Sequence, residues 1–270
     1  MRLAIDHTTH YSFSDPVAHG LQRLRLTPKS TSGQKIVRWN MEFEGAVRQV
    51  EYEDQDHNRV TLIALEPGAC DVTIRCEGVV DTSDESGIIG RHSGYLPLWH
   101  FLDPTELTAP GPRLRTLLGT LTDEGNAIDK LHRLVQVVRG KVEYETGHTD
   151  PNSNTEAVLQ AGRGVCQDHA HVFIGAARMM GIPARYVSGY LMMDDRIEQD
   201  AGHAWAEADV DGLGWVGFDV SNGISPDARY VRVATGRDYR DAAPITGIRY
   251  GALEETMHVV LAVEQQRVEQ

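Results

Sequence analysis

The spacing of apolar residues changes once along this 270-residue chain, and this change constrains the fold more than any other feature. Up to about residue 82, six runs alternate between apolar and polar residues, as in residues 37–43. A period of two is typical of strands with one buried face, and the turn-rich segments between the runs favour antiparallel pairing. From residue 113 the apolar residues recur at helical spacing, as in Leu131, Leu134 and Val138. We therefore expect the α+β fold class, with an antiparallel β-sandwich at the N-terminus.

Glycine and proline separate the two patterns. Eight of them lie within residues 83–112 and break any long element, yet Trp99 and Phe101 make this segment too apolar for a free linker. We predict a β-rich domain at residues 1–82, a connecting segment at residues 83–112 that packs between domains, and a second domain at residues 113–270. The first domain has no cluster of catalytic residue types, so a structural or substrate-flanking role is expected.

The second domain contains two predicted helices. Asp123 and Glu124 are expected near the start of the first helix, and Gly140 is expected to end it. The second helix is expected to begin at Cys166 and to end before Gly181.

The charge balance argues against two classes of partner. The formal net charge of −13 opposes binding to nucleic acid and to anionic membranes, so neither is expected as a partner. The N-terminus lacks the pattern of a secretory signal, and no run approaches the roughly 18 apolar residues that span a bilayer. A cytoplasmic location is therefore predicted, while the oligomeric state is left open.

Three cysteines are present, and one of them has distinctive surroundings. Cys70 and Cys76 fall in one strand-like run, about 20 Å apart if the run is extended, which is too far for a disulfide. Cys166 follows Gly162 and Gly164 and precedes a helical pattern that lasts about fifteen residues. The free N–H groups at a helix start favour a thiolate and can donate to a developing oxyanion. An inert buried thiol is the alternative.

A histidine and an aspartate are predicted to meet on a hairpin. Asp211 and Gly212 lie between two strand patterns, which is a hairpin signal. If the pairing is centred on Asp211, His203 lies directly opposite Asp219, with both side chains on one face. The carboxylate would then orient the imidazole, whose other nitrogen would be free to accept a proton from Cys166. An exposed strand histidine and an aspartate that caps the next turn are the alternatives.

Four ordered segments carry a resemblance to a known family. They are residues 164–170 (GVCQDHA), 181–190 (GIPARYVSGY), 203–205 (HAW) and 214–219 (GWVGFD). Together they resemble the transglutaminase-like superfamily, and the first 80 residues look like the β-rich N-terminal domain that bacterial members carry. The resemblance implies a papain-like core in which a cysteine-bearing helix packs on an antiparallel sheet. It also makes residues 113–270 a catalytic domain.

The resemblance implies roles for three residues. Cys166 would be the nucleophile, His203 the general base and Asp219 the residue that orients His203, with a thioester formed from a peptide or protein carboxamide. No cofactor and no metal are implied. Members of this family usually have a proline after the aspartate, whereas this chain has Val220. Gln167, Tyr190 and Trp205 are candidates for the substrate cleft, and core packing is the alternative for the two aromatic residues.

Several functions stay open from the sequence. Hydrolysis by a cysteine peptidase or amidase is favoured over transfer to an amine, as in a protein-glutamine transglutaminase. A non-catalytic binding module of the same fold is a further alternative. A metal site formed by Cys166, His169, His171 and His203 is disfavoured, because His169 and His171 point to different faces of a helix.

Overall fold

A computed structural model describes residues 1–122, 124–251 and 254–266. Each of the six alternating runs forms a strand: β1 (Arg2–Val17), β2 (His19–Leu24), β3 (Gln34–Glu44), β4 (Ala46–Glu53), β5 (Arg59–Leu65) and β6 (Ala69–Thr82). The period of two is visible in β1, where every second residue from Leu3 to Phe13 is buried. Cys70 and Cys76 both lie in β6, and all three cysteines are free.

The second half of the chain mixes helices and strands. In chain order they are β7 (Ile88–Gly90), a 3-10 helix (Leu98–Phe101), α1 (Pro112–Leu118), α2 (Ala127–Lys141), β8 (Glu143–Tyr144), α3 (Thr155–Ala161), β9 (Arg163–Gly164), α4 (Cys166–Met179), β10 (Ala184–Leu191), β11 (Glu198–Gln199), β12 (His203–Val210), β13 (Gly214–Phe218), β14 (Tyr230–Gly236), α5 (Tyr239–Ala242), β15 (Ile245–Tyr250) and β16 (Glu255–Gln265). Among the helices of the described ranges, none has both the length and the apolar character needed to cross a membrane.

Two antiparallel sheets form the predicted N-terminal sandwich. Their strand orders are β11-β16-β1-β6-β3 and β15-β2-β5-β4. Side chains from both sheets share one core: Tyr11, Phe13, Leu24, Met41, Ile63, Leu65, Val72 and Ile74. The chain returns to this sandwich after the second sheet is complete, because β15 pairs with β2 and β16 pairs with β1. Residues 245–265, which the sequence assigned to the second domain, thus complete the two sheets of the N-terminal sandwich. The domain boundaries stay a prediction.

A five-stranded antiparallel sheet, β14-β10-β12-β13-β7, supports helix α4. The β12 residues that enter the core with α4 are Ala204, Ala206, Ala208 and Val210, and the small side chains of the three alanines let the helix approach the sheet closely. Strand β7 comes from the predicted connecting segment, which therefore extends this sheet at its edge. Phe101 from the same segment packs edge-on against Trp215 at 5.2 Å.

Local capping sets the ends of the two main helices. The side chain of Asn126 accepts from the Asp129 amide, and the Asp129 carboxylate accepts from the Asn126 amide, which starts α2. Asp123, predicted near this start, lies outside the described residues. Gly140 does not end α2 as predicted, since the helix continues to Lys141. Gly181 does lie beyond the end of α4, with a φ of 75° in the left-handed region.

The sandwich and the second sheet share an apolar boundary. Leu3 and Ile5 of β1 and Leu261 and Val263 of β16 pack with Val231 and Val233 of β14 and with Tyr190 of β10. Any cavity at the edge of this boundary is therefore walled by residues from both halves of the chain.

Candidate active site

Cys166 is the first residue of α4. It is half-buried, and Val165 before it has the extended backbone of an N-cap residue. The first amide N–H groups of an α-helix have no acceptor within the helix. The sulfur of Cys166 therefore lies at the end of α4 that carries partial positive charge, as the sequence predicts.

A buried carboxylate fixes this helix start. Oδ2 of Asp168 accepts from the Val165 amide at 2.8 Å and from Oγ1 of Thr149 at 2.6 Å. Burial raises the pKa of Asp168, although both hydrogen bonds act against it. A Cβ on Gly164 would lie 2.6 Å from Oδ2 of Asp168, so only glycine fits beside this cap. The reason for this glycine is close packing, whereas Gly162, with a φ of 66°, supplies the turn.

His203 and Asp219 share a direct hydrogen bond, although the predicted register is wrong. The turn contains three residues, 211–213, so the hairpin is centred on Gly212. Ala206 therefore pairs with Phe218, two residues further along the second strand than the predicted centre at Asp211 requires. His203 is thus not directly opposite Asp219, which follows the end of β13. A change of two residues preserves the face on which a side chain lies, so the two groups still meet. Nε2 of His203 lies 2.6 Å from Oδ2 of Asp219.

Asp219 is fully buried and has four hydrogen-bond donors. Oδ2 accepts from His203, from the Tyr230 hydroxyl at 2.7 Å and from Nδ2 of Asn222 at 2.7 Å, while Oδ1 accepts from the Asn222 amide at 3.1 Å. Burial by itself raises the pKa of Asp219, but these bonds and the charge of His203 outweigh it, and the pKa is lowered. Asp219 therefore both accepts a hydrogen bond from the imidazole and caps the following turn, which were alternatives in the sequence.

The second nitrogen of His203 is left for Cys166. Cys166 and His203 line the same cavity, and Cys166 is close enough to raise the pKa of His203. Because Nε2 is bonded to Asp219, Nδ1 is the nitrogen left to interact with the sulfur. Burial lowers the pKa of His203, but hydrogen bonds to Asp219 and Cys166, together with their charges, raise it to about 10. The surroundings of the imidazole therefore favour its protonated form beside the sulfur at neutral pH.

A cavity of about 290 Å³ opens on Cys166 and His203. One wall comes from the second domain and includes Tyr186, Tyr190 and Gly202. The sandwich contributes further lining residues: His7, Thr9 and Tyr11 of β1, Arg25 and Leu26 after β2, Ile245 of β15, and Met257 and Val259 of β16. The sandwich, in which the sequence showed no catalytic cluster, thus shapes the space in front of the cysteine.

Two of the three predicted cleft residues line this cavity. Gln167 lies on the wall and donates from Nε2 to the Pro151 carbonyl at 3.2 Å. Tyr190 also lines it, and its hydroxyl lies 2.9 Å from Nδ1 of His7. Trp205 does not line this cavity, contrary to the prediction. It packs with Val187, Leu191 and Tyr230 and lies behind the His203 ring, because alternation along β12 places it on the side away from α4.

The other histidines of α4 have separate partners. Nε2 of His169 lies 2.9 Å from the Val142 carbonyl, and its Nδ1 lies 2.8 Å from the Ser221 hydroxyl. Nε2 of His171 accepts from the Tyr239 amide at 3.1 Å. Within the described ranges, no three cysteine, histidine or carboxylate side chains are grouped as metal ligands.

Sequence reasoning missed several groups that support the site. Asp168 lies three residues after the N-cap, a spacing typical of a capping residue that the sequence could have revealed. Tyr230 had no such signal, because it reaches Asp219 only through the pairing of β14 with β10. Arg25 also had none, since it is separated from Cys166 by about half of the chain.

Comparisons with known proteins agree on one family. Residues 3–81 match the bacterial transglutaminase-like N-terminal region, and residues 115–220 match the transglutaminase-like superfamily. An uncharacterized protein of Mycobacterium leprae is 30% identical over 282 residues, which cover 97% of this chain and 98% of that protein. An uncharacterized protein of Mycobacterium tuberculosis is 29% identical over 283 residues, which cover 95% of this chain and 90% of that protein. The crystal structure of a putative cysteine protease from Cytophaga hutchinsonii has a TM-score of 0.77 at 22% identity, covering 100% of this chain and 92% of that chain, and it shows a shared fold.

Proposed function

This chain belongs to the transglutaminase-like superfamily, and on that basis we propose that it is a thiol-dependent acyl-transfer enzyme that acts on peptide or protein carboxamide bonds. Cys166 is the nucleophile, His203 the general base and Asp219 the residue that orients His203. The single observation that carries the proposal is that Cys166, at the start of α4, and His203, which is hydrogen-bonded to the buried Asp219, meet at one cavity.

The proposed reaction uses each of these groups in turn. With the proton of Cys166 held on Nδ1 of His203, the sulfur attacks the carbonyl carbon. Free amide N–H groups at the start of α4 stabilise the oxyanion. When the C–N bond breaks, the imidazolium donates its proton to the leaving amine or ammonia, which leaves a thioester on Cys166.

A second acceptor completes the cycle. His203 removes a proton from water, the resulting hydroxide attacks the thioester, and the carboxylic acid leaves as the thiol is restored. We favour water over an amine, in line with the name of the Cytophaga hutchinsonii protein, so the enzyme is a cysteine peptidase or amidase. Transfer to an amine is the second outcome that the experiment distinguishes.

The test combines thiol labelling with turnover. We expect iodoacetamide to alkylate Cys166 faster than the exposed Cys70, as measured by mass spectrometry of the peptides. Peptides that contain glutamine are then incubated with and without a primary amine, and ammonia, new amino termini and incorporated amine are measured. Cys166→Ala should abolish every product, whereas Cys70→Ala, the matched control, should change none.

Two results would contradict the proposal. The first is alkylation of Cys166 no faster than that of Cys70, with no product from any peptide, as expected for a non-catalytic binding module. The second is turnover that persists in the Cys166→Ala protein. Amine incorporation without hydrolysis would replace the peptidase assignment with a transglutaminase.

A further inference from the structure

Arg25 is a buried cation on the sandwich wall of the Cys166 cavity. It directly follows β2, and only 3% of the residue is exposed. Its Nε donates to Oδ2 of Asp54 at 3.0 Å, while Nη1 is buried without a partner in the part of the chain that the structure describes. A buried donor without an acceptor costs stability, so an unused N–H of a guanidinium beside a cavity requires an explanation.

The neighbouring polar groups do not use this donor. His7 is hydrogen-bonded to Tyr190 and to Thr9, at 2.9 Å and 3.2 Å. The hydroxyl of Ser188 donates to the Ala242 carbonyl at 2.6 Å. These groups therefore already have partners within the protein, unlike Nη1 of Arg25.

The charge of the cavity wall is opposite to that of the whole protein. Among the described residues that line it, Arg25 carries the only permanent charge, and none is an aspartate or a glutamate. The chain has a formal net charge of −13. Asp54, the ion-pair partner of Arg25, does not line the cavity, so the cation is the member of this buried pair on the cavity wall, which favours an anionic ligand there.

We propose that Arg25 determines specificity by binding a carboxylate that the substrate carries next to the scissile carboxamide. The inference rests on the proposed function, because it names the substrate class of that site: acidic peptides. Asp54 holds one edge of the guanidinium, and the planar group presents its remaining donors to the carboxylate. Asp54 is in turn fixed by the amides of Asp56 and Asn58, at 3.0 Å and 2.9 Å, so the pair is already oriented before substrate binds.

Binding to the inactive Cys166→Ala protein tests this inference without turnover. The probes are five-residue peptides with a central glutamine and either aspartate or asparagine at one neighbouring position, and calorimetry measures their affinities. Because a hydrogen bond between charged groups is stronger than one to a neutral amide, we expect the aspartate peptide to bind about tenfold more tightly or better.

Two variants in the Cys166→Ala background assign this preference to Arg25. The pair Arg25→Met with Asp54→Asn removes both buried charges, so no carboxylate is left unpaired. It should reduce the preference to less than about twofold, because the charged donor to the carboxylate is absent. Arg23→Met, which removes an exposed cation two residues away, should leave the preference unchanged.

The outcomes separate the two proposals. Equal affinities for the two peptides, or a preference that survives in the double variant, overturn the role of Arg25 and reduce it to a structural partner of Asp54. Alkylation of Cys166 and turnover of glutamine peptides by the wild-type protein are measured separately, so failure of the catalytic proposal is recognised independently.

Discussion

Asp219→Asn is the substitution that best tests the electrostatics of the site. Asparagine has nearly the same shape, and its carbonyl oxygen can still accept from the Asn222 amide. Its NH2 group replaces Oδ2, so the negative charge and the acceptor shared by His203, Tyr230 and Nδ2 of Asn222 are lost. The folded protein holds the pKa of His203 at about 10, whereas an ordinary histidine has a pKa of 6.5. At about 1.4 kcal/mol per tenfold change, this difference sets an upper bound of about 5 kcal/mol on the preference of the fold for protonated His203.

Only part of that free energy depends on Asp219. Burial opposes the raised pKa, while hydrogen bonds and charges of both Asp219 and Cys166 favour it. We therefore assign roughly half, about 2–3 kcal/mol, to Asp219. Because the pKa of His203 is raised, this stability is fully present below pH 6.5 and is lost as the pH rises through about 10.

Urea denaturation of the wild-type and Asp219→Asn proteins between pH 6 and pH 10 measures the effect. The variant should be less stable by about 2–3 kcal/mol near pH 6, and the difference should decrease as the pH approaches 10. Titration of His203 by NMR should show its pKa falling in the variant. Asp211→Asn, in the exposed hairpin turn, controls for the loss of one surface charge.

Two observations would refute this reasoning. The first is a stability difference that stays constant from pH 6 to pH 10. The second is a wild-type His203 that loses its proton near pH 6.5, which would mean that Asp219 provides orientation but no charge stabilisation.

Two further substitutions test the supports of the site. Gly164→Ala should lower the free energy of unfolding by about 1–3 kcal/mol and slow alkylation of Cys166, because the added Cβ overlaps the Asp168 carboxylate. Gly140→Ala is the matched control: its Cβ would lie in open space, so urea denaturation should show no loss of stability. Tyr230→Phe removes the hydroxyl that donates to Oδ2 of Asp219 at 2.7 Å, and it should lower the free energy of unfolding by about 1–2 kcal/mol while alkylation of Cys166 is largely preserved. Unchanged stability would show that this hydrogen bond makes no net contribution.

Local sequence signals accounted for a large part of this fold. The period of two in residues 37–43 and the helical period after Cys166 each gave the correct element, because each pattern follows from the geometry of one strand or one helix. The position of Cys166 at a helix start had the same local origin, since the turn before it and the cap at Asp168 lie within a few residues. These features were therefore readable before any tertiary contact was known.

The hairpin shows where local reasoning was incomplete. The sequence indicated a turn at Asp211 and Gly212, but the centre of the turn sets the register, and the hairpin is centred on Gly212 instead of Asp211. The prediction that His203 and Asp219 share a face survived this error because both registers have the same parity. The sequence also predicted Trp205 in the substrate cleft. It packs against Tyr230 in the core, a contact between strands that no local pattern indicates.

By itself, the sequence determined which segments become strands and helices and which residue types stand at the start of α4 and on the hairpin, because these depend on neighbours along the chain. Only the tertiary structure decided that β16 returns to β1, that Tyr230 reaches Asp219 and that Arg25 lines the same cavity as Cys166. These contacts join residues far apart in the chain. Their physical cause is the burial of apolar sheet faces against each other, which no local pattern specifies.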